Sequence, residues 1–153
     1  MVVSKHIRIN EPGVGAWIMA QASGVFTEET DVSIANFRGD KLLGGFAMTA
    51  YLDASMCVHM AGIDPTWCSR DLLWMTFDYA FDQLGLYKLF ALVKSTNYEA
   101  LAQDLRAGFK LDTVLTDAFP DAHLMILSMK RDECRWLATK PVHYRSNRAK
   151  EAA

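Results

Sequence analysis

The chain has 153 residues, 51% of them apolar, and a formal net charge of -2. That length can bury one core and is too short for two ordinary domains, and so small a charge excludes a domain that attracts nucleic acid through its overall field. No run approaches the roughly eighteen uninterrupted apolar residues of a membrane span, because Gly44, Gly45, Thr49 and Asp53 break up the greasiest stretch.

The opening residues, MVVSKHIRIN, lack the apolar region of a signal peptide, which predicts a cytoplasmic protein. Cys57, Cys68 and Cys134 show no zinc-type spacing, and an odd count argues against a full disulfide framework. A reducing compartment is expected.

In chain order, residues 6–10 suit a short strand and 15–23 a helix after the Glu11-Pro12-Gly13 break. Residues 32–38, 42–52 and 55–63 are rich in β-branched and apolar side chains and are divided by Gly39-Asp40 and Asp53-Ala54, the pattern of a three-stranded antiparallel meander. Leu73, Phe77, Ala80, Phe81 and Leu84 then form the stripe of an amphipathic helix, with Ser69 to cap it and Gly85 to close it. Residues 87–94 carry apolar side chains on both alternating faces, which predicts a central strand covered on both sides. Asn97 caps a second helix on which Leu101 and Leu105 sit four apart, and Gly108-Phe109 matches a left-handed stop with a hydrophobic contact. Residues 109–115 suit an edge strand and 123–129 a buried one.

A helix between the strands at Ser55 and Tyr87 forces them to run parallel. The whole is an α+β (mixed α/β) domain over residues 1–139, followed by a basic, mobile tail at 140–153. Lys140, His143, Arg145, Arg148 and Lys150 in that tail could meet an acidic partner or nucleic acid; a solvated tail is the other reading. There is no internal repeat and no low-complexity tract.

The segment YAFDQLGLYKLFALVKSTNYEALAQDLRAGFK resembles the GNAT acyltransferases, and most of all their ribosomal-protein N-terminal acetyltransferase branch: Tyr79-Ala80-Phe81, Leu84-Gly85-Leu86, Asn97 and Gly108-Phe109 fall in the pattern without a gap. The resemblance implies a sheet splayed between strands 4 and 5, with acetyl-CoA in the opening and an acetyl group passed to a primary amine of a small molecule or protein by direct attack, without a metal. Unpaired backbone at such a splay costs free energy unless a polar arm fills it, and pantetheine carries amides suited to that. On this resemblance Met60, Ala61, Gly62 and Ile63 lend backbone to pantetheine. Trp67, Cys68, Ser69, Arg70 and Asp71 meet the diphosphate at the helix start, and Asn97 bonds the pantetheine arm while also serving as a cap.

The chain departs from the family in three places. Its phosphate loop, Asp64-Pro65-Thr66-Trp67-Cys68-Ser69, has no glycine to let backbone approach the phosphates. Asp104 stands where many relatives carry the Tyr that protonates the leaving thiolate, and as an exposed carboxylate with a pKa of about 4 it stays ionised unless burial raises it. Ala100 replaces a Ser. For the general base, His59 has a suitable intrinsic pKa and precedes the pantetheine-pairing stretch; a structural histidine is the plainer alternative. Cys57 shares its face and could form a nucleophilic pair with it, or be a packing cysteine. Of the tryptophans, Trp74 lies off the helix stripe and is the one placed to meet a partner or the second subunit of a homodimer. The competing function is a non-catalytic binding or assembly protein on the same fold.

Overall fold

The computed structural model describes residues 4–141. His143, Arg145, Arg148 and Lys150 of the tail lie outside the described residues. Seven strands form one sheet in the order β1-β2-β3-β4-β5-β7-β6: β1 (Ile7–Ile9), β2 (Val32–Arg38), β3 (Lys41–Thr49), β4 (Ser55–Gly62), β5 (Lys88–Lys94), β6 (Lys110–Phe119) and β7 (Ala122–Lys130). All neighbours are antiparallel except β4 and β5. Three helices pack on it, α1 (Val14–Gln21), α2 (Arg70–Asp78) and α3 (Tyr98–Ala107).

The meander β2-β3-β4 is buried on both faces because its side chains alternate between two cores. Ile34, Phe46, Met48, Met56 and Val58 join Leu72, Phe77 and Phe109 on the α2 and α3 face. Ala35, Phe37 and Ala47 meet Val14, Ile18 and Met19 of α1 on the other. Full burial of side chains such as Phe46 and Phe77 contributes about 2 to 3 kcal/mol each.

Ser69 caps α2 by accepting from Leu72 N–H at 3.2 Å. The helix passes into one turn of π-helix at Tyr79–Gln83, so the predicted stripe drifts off axis and Leu84 ends 39% exposed. Gly85 closes the turn with φ +70 and Gly108 ends α3 with φ +105, a conformation that costs any side chain.

Three expectations fail. β5 is central in order but covered on one face: Leu89, Ala91 and Val93 are buried whereas Leu92 is exposed. The α3 stripe does not run through Leu105, which is exposed; Asp104 and Ala107 are its buried residues. Trp74 is not presented to a partner. It is buried in the α2 core with Trp136 and Leu137 packed against that cluster; these belong to a short 3-10 segment (Arg135–Thr139) that lies on α2. Trp136 Nε1 also donates to Ala107 O at 2.8 Å, and the Arg135 guanidinium to Arg106 O, so the segment caps the C-terminal carbonyls of α3.

Candidate active site

β4 and β5 pair only at Ser55↔Lys88, Met56↔Leu89 and Cys57↔Phe90. Beyond Cys57 the two strands part, while β4 continues to pair with β3 as far as Gly62 and β5 with β7 as far as Lys94. The β4 edge from Val58 onward therefore faces an opening in the middle of the sheet.

A cleft of about 580 Å³ fills that opening, lined by Val58, His59 and Met60 of β4, Ala91 to Lys94 of β5, and Asn97, Ala100, Gln103 and Asp104 around α3. Gln21, Ala22 and Ser23 at the end of α1 line it as well. Since α1 and α3 lie on opposite faces, the cleft passes through the sheet.

Asp104 is 5% exposed, and burial raises its carboxyl to about 7. The predicted exposed, ionised carboxylate is thus corrected: α3 turns this residue inward, where the charged form loses its water. His59 moves the other way. Burial lowers its pKa below the usual 6.5, opposed by the Asp31 carboxylate. Its Nε2 lies 3.3 Å from Thr49 Oγ1, leaving Nδ1 as the ring nitrogen without a protein partner among the described residues. Cys57 is buried, with its thiol pushed up to about 12 chiefly by desolvation and further by Asp104, against the opposing pull of the Leu92 amide. It stays a thiol at neutral pH and gives no nucleophile for a Cys/His pair.

Asn97 Oδ1 accepts from Ala100 N–H at 3.2 Å, so it caps α3, and the residue also lines the cleft. The sequence brings His59, Met60, Asn97 and Asp104 to one cavity; Ala61 and Gly62 continue the β4 edge, and Ile63 lies just past its end.

The phosphate-loop residues do not come together. Trp67 and Cys68 line a second cavity of about 310 Å³ with Met60, Gln103 and Arg106. Ser69 and Asp71 open instead onto a dent of about 220 Å³ beside Arg38 and Thr66, and Arg70 is exposed at the first turn of α2. Thr49 is the residue the sequence reading missed. Its signal was its register on β3, two positions from the β4 pair Ala47↔His59.

The opening fits the amide-bearing pantetheine part of the acetyl-CoA that the resemblance implies: an unpaired strand edge and Asn97 border it. The loop does not fit the diphosphate in the family's manner, because most of its N–H groups are already engaged. Ile63 and Asp64 N–H donate to Leu43 O, Trp67 N–H to Asp64 O and Ser69 N–H to Trp67 O, and Thr66 N–H donates to Asp64 Oδ1 at 2.8 Å. Among the described residues no three His, Cys, Asp or Glu side chains gather to hold a metal.

No family model and no curated protein matches this sequence. Solved structures do match in shape. Mutant forms of the spermidine/spermine N-acetyltransferase SpeG from Vibrio cholerae superpose with a TM-score of 0.63 at 15% identity, over 88% of this chain and 98% of that one. A GNAT-family acetyltransferase from Bacillus anthracis gives 0.57 at 13% identity, over 80% and 87%. At such identities the likeness is one of architecture, and the mixed sheet with its single parallel pair, opened beyond Cys57 and flanked by α1 on one face and α2 and α3 on the other, is the GNAT fold.

Proposed function

We propose that this chain is an N-acetyltransferase that passes an acetyl group from acetyl-CoA to a primary amine of a small molecule or protein by direct attack. The observation that carries this reading is the through-sheet cleft with His59 and Asp104 both on its wall, their pKa values displaced in opposite directions.

Acetyl-CoA supplies the activated acetyl thioester when bound. His59, neutral near pH 7, accepts the proton of the incoming ammonium at Nδ1 while its Nε2–H is held toward Thr49 Oγ1. Asp104, part protonated near pH 7, donates to the departing sulfur. The ammonium gives one proton to His59, the N–C bond forms as the C–S bond breaks, the attacking nitrogen gives its second proton to solvent, and Asp104 protonates the sulfur; solvent exchange restores both side chains, with one net proton released. An acid–base pair tuned apart by environment is the pattern expected of such a site. Asn97 and the β4 edge orient the donor. Three free thiols support a reducing, cytoplasmic setting. The ribosomal-protein branch remains our proposal for the nearest functional kin, on Tyr79-Ala80-Phe81 and Leu84-Gly85-Leu86.

One observation favours a second reading, a non-catalytic binding protein: the internally bonded loop at 63–70. Thermal stability in rising acetyl-CoA, followed by thiol release against a panel of amines and N-terminal peptides, decides between them. A donor that binds only the folded chain raises its melting temperature; absence of both the rise and the thiol release at millimolar acetyl-CoA overturns the enzyme reading.

A further inference from the structure

The loop before α2 carries an anion of its own. Asp64 Oδ1 accepts from Thr66 N–H at 2.8 Å and from Thr66 Oγ1 at 2.6 Å. These are the kinds of donor that a phosphate oxygen would use. Arg38 completes the arrangement, with Nη1 3.7 Å from Asp64 Oδ2 and Nη2 3.3 Å from Thr66 Oγ1. Asp64 is therefore an ionised group held by a hydroxyl, an amide and a guanidinium, and these contacts hold its pKa below the usual carboxylate range.

Trp67 closes the other approach. A Cβ added at Gly62 would stand 2.1 Å from the indole ring, and one at Gly44 would stand 2.9 Å from Trp67 Cβ. The two glycines thus admit the tryptophan to close contact with the strand ends. The indole is 7% exposed, its centroid is 5.6 Å from that of Phe46, and its carbonyl is tied by Asn36 Nδ2 at 2.9 Å. In the stretch 63–70, only Cys68 and Arg70 keep backbone N–H groups without a partner among the described residues. They fall on either side of the Ser69 cap, and Asp71 adds a second carboxylate in the first turn.

A diphosphate entering here would find the Asp64 carboxylate already holding the Thr66 donors and the Arg38 guanidinium, with most amide donors spent. The loop can admit the anion only by breaking bonds it now makes. The strand opening a few residues upstream has no such obstruction: it is bordered by β4, Asn97 and the 580 Å³ cleft.

We infer that the chain grips its acyl donor through the pantetheine arm alone, the adenosine diphosphate of CoA adding no net binding because Asp64 and Trp67 occupy its place. This rests on the acyl-transfer reading and assigns the donor class within it: pantetheine thioesters, whether free or borne on a carrier protein.

The test compares acetyl-CoA with S-acetylpantetheine on the purified full chain, in thiol release and in melting temperature with CoA, pantetheine and ADP as ligands. The kcat/KM values should agree within about tenfold, and CoA and pantetheine should protect alike, since uniform binding lost with a fragment appears directly in kcat/KM and in ligand-induced stability. ADP alone should give no protection. An advantage of acetyl-CoA above tenfold, or protection by ADP alone, overturns the inference while leaving acyl transfer intact. No thiol release from either donor, with no protection by CoA or pantetheine, overturns acyl transfer and the inference together. Asp64→Ala frees the Thr66 N–H and removes a negative charge, so it should raise the CoA-to-pantetheine ratio severalfold. An unchanged ratio would overturn the role given to Asp64. An acetylated carrier protein separates the two sources: turnover above that of S-acetylpantetheine marks a protein-borne arm, and turnover below it a free thioester.

Discussion

Asp104 of α3 acts on the thiol of Cys57 on β4: the carboxylate is close enough to help raise that thiol's pKa. The last residue of the parallel ladder thus sits beside the helix that borders the opening, and an ionisable group is held at the point where the sheet divides. Its cost and its proposed use are both measurable.

Asp104→Asn should stabilise the protein at pH 8 and leave it unchanged at pH 3. The folded pKa, about 7, lies above the unfolded value. The group therefore favours folding fully below the unfolded pKa, and this advantage is lost as pH rises through 7. Near pH 8 the penalty removed is of the order of a few kcal/mol. The same change should lower kcat by about a hundredfold, the scale of a lost general acid, and remove the alkaline limb near pH 7 from the rate profile. Melting curves at the two pH values and a pH series of kcat check it.

Thr49→Val should lower kcat severalfold without altering the KM for acetyl-CoA, because Thr49 touches the His59 ring and acts through it. His59→Gln should go further and remove the acid limb. That limb should lie below pH 6.5, since burial depresses the folded pKa. Opposite in sense to Asp104, neutral His59 favours folding above 6.5, and this contribution is lost as pH falls through its depressed folded pKa. A pH series of initial rates for wild type and both variants reads this out.

Asn97 serves as cap and cleft wall together, and two substitutions separate the roles. Asn97→Ser should keep the cap within a few tenths of a kcal/mol, whereas Asn97→Ala should cost about 1 kcal/mol. Both should raise the KM for the acyl donor. A normal KM in the Ser variant would show Asn97 to be a cap only.

Gly108→Ala should destabilise by at least about 1 kcal/mol, because φ there is +105 and a side chain strains in that region. The added Cβ would also stand 3.1 Å from an Arg135 guanidinium nitrogen. Denaturant unfolding measures the loss.

The sequence made the skeleton legible because its punctuation is local: Gly39-Asp40, Asp53-Ala54, the Ser69 and Asn97 caps and the Gly108 stop each act within a few residues. The boundaries of β2 and β4 follow from these breaks. What was not legible depends on which face a helix turns inward. Leu101 and Leu105 suggested one face for α3, yet packing buries Asp104 and Ala107 and leaves Leu105 exposed, so a carboxylate took a place that hydrophobicity would have denied it. Trp74 failed for a related reason: the covering segment at Arg135–Thr139 lies some sixty residues away in the chain, and no local pattern announces it. The Asp64–Thr66 contact is short in sequence, but Arg38 joins it only once β2 lies beside the loop.

The cleft is lined from both faces of the sheet, by the end of α1 on one and by α3 on the other. On the proposed acyl transfer, donor and amine would then reach it from opposite faces, neither waiting for the other to clear a shared entrance. Order of addition would be free, and the spent thiol would impede a new donor without excluding a new amine.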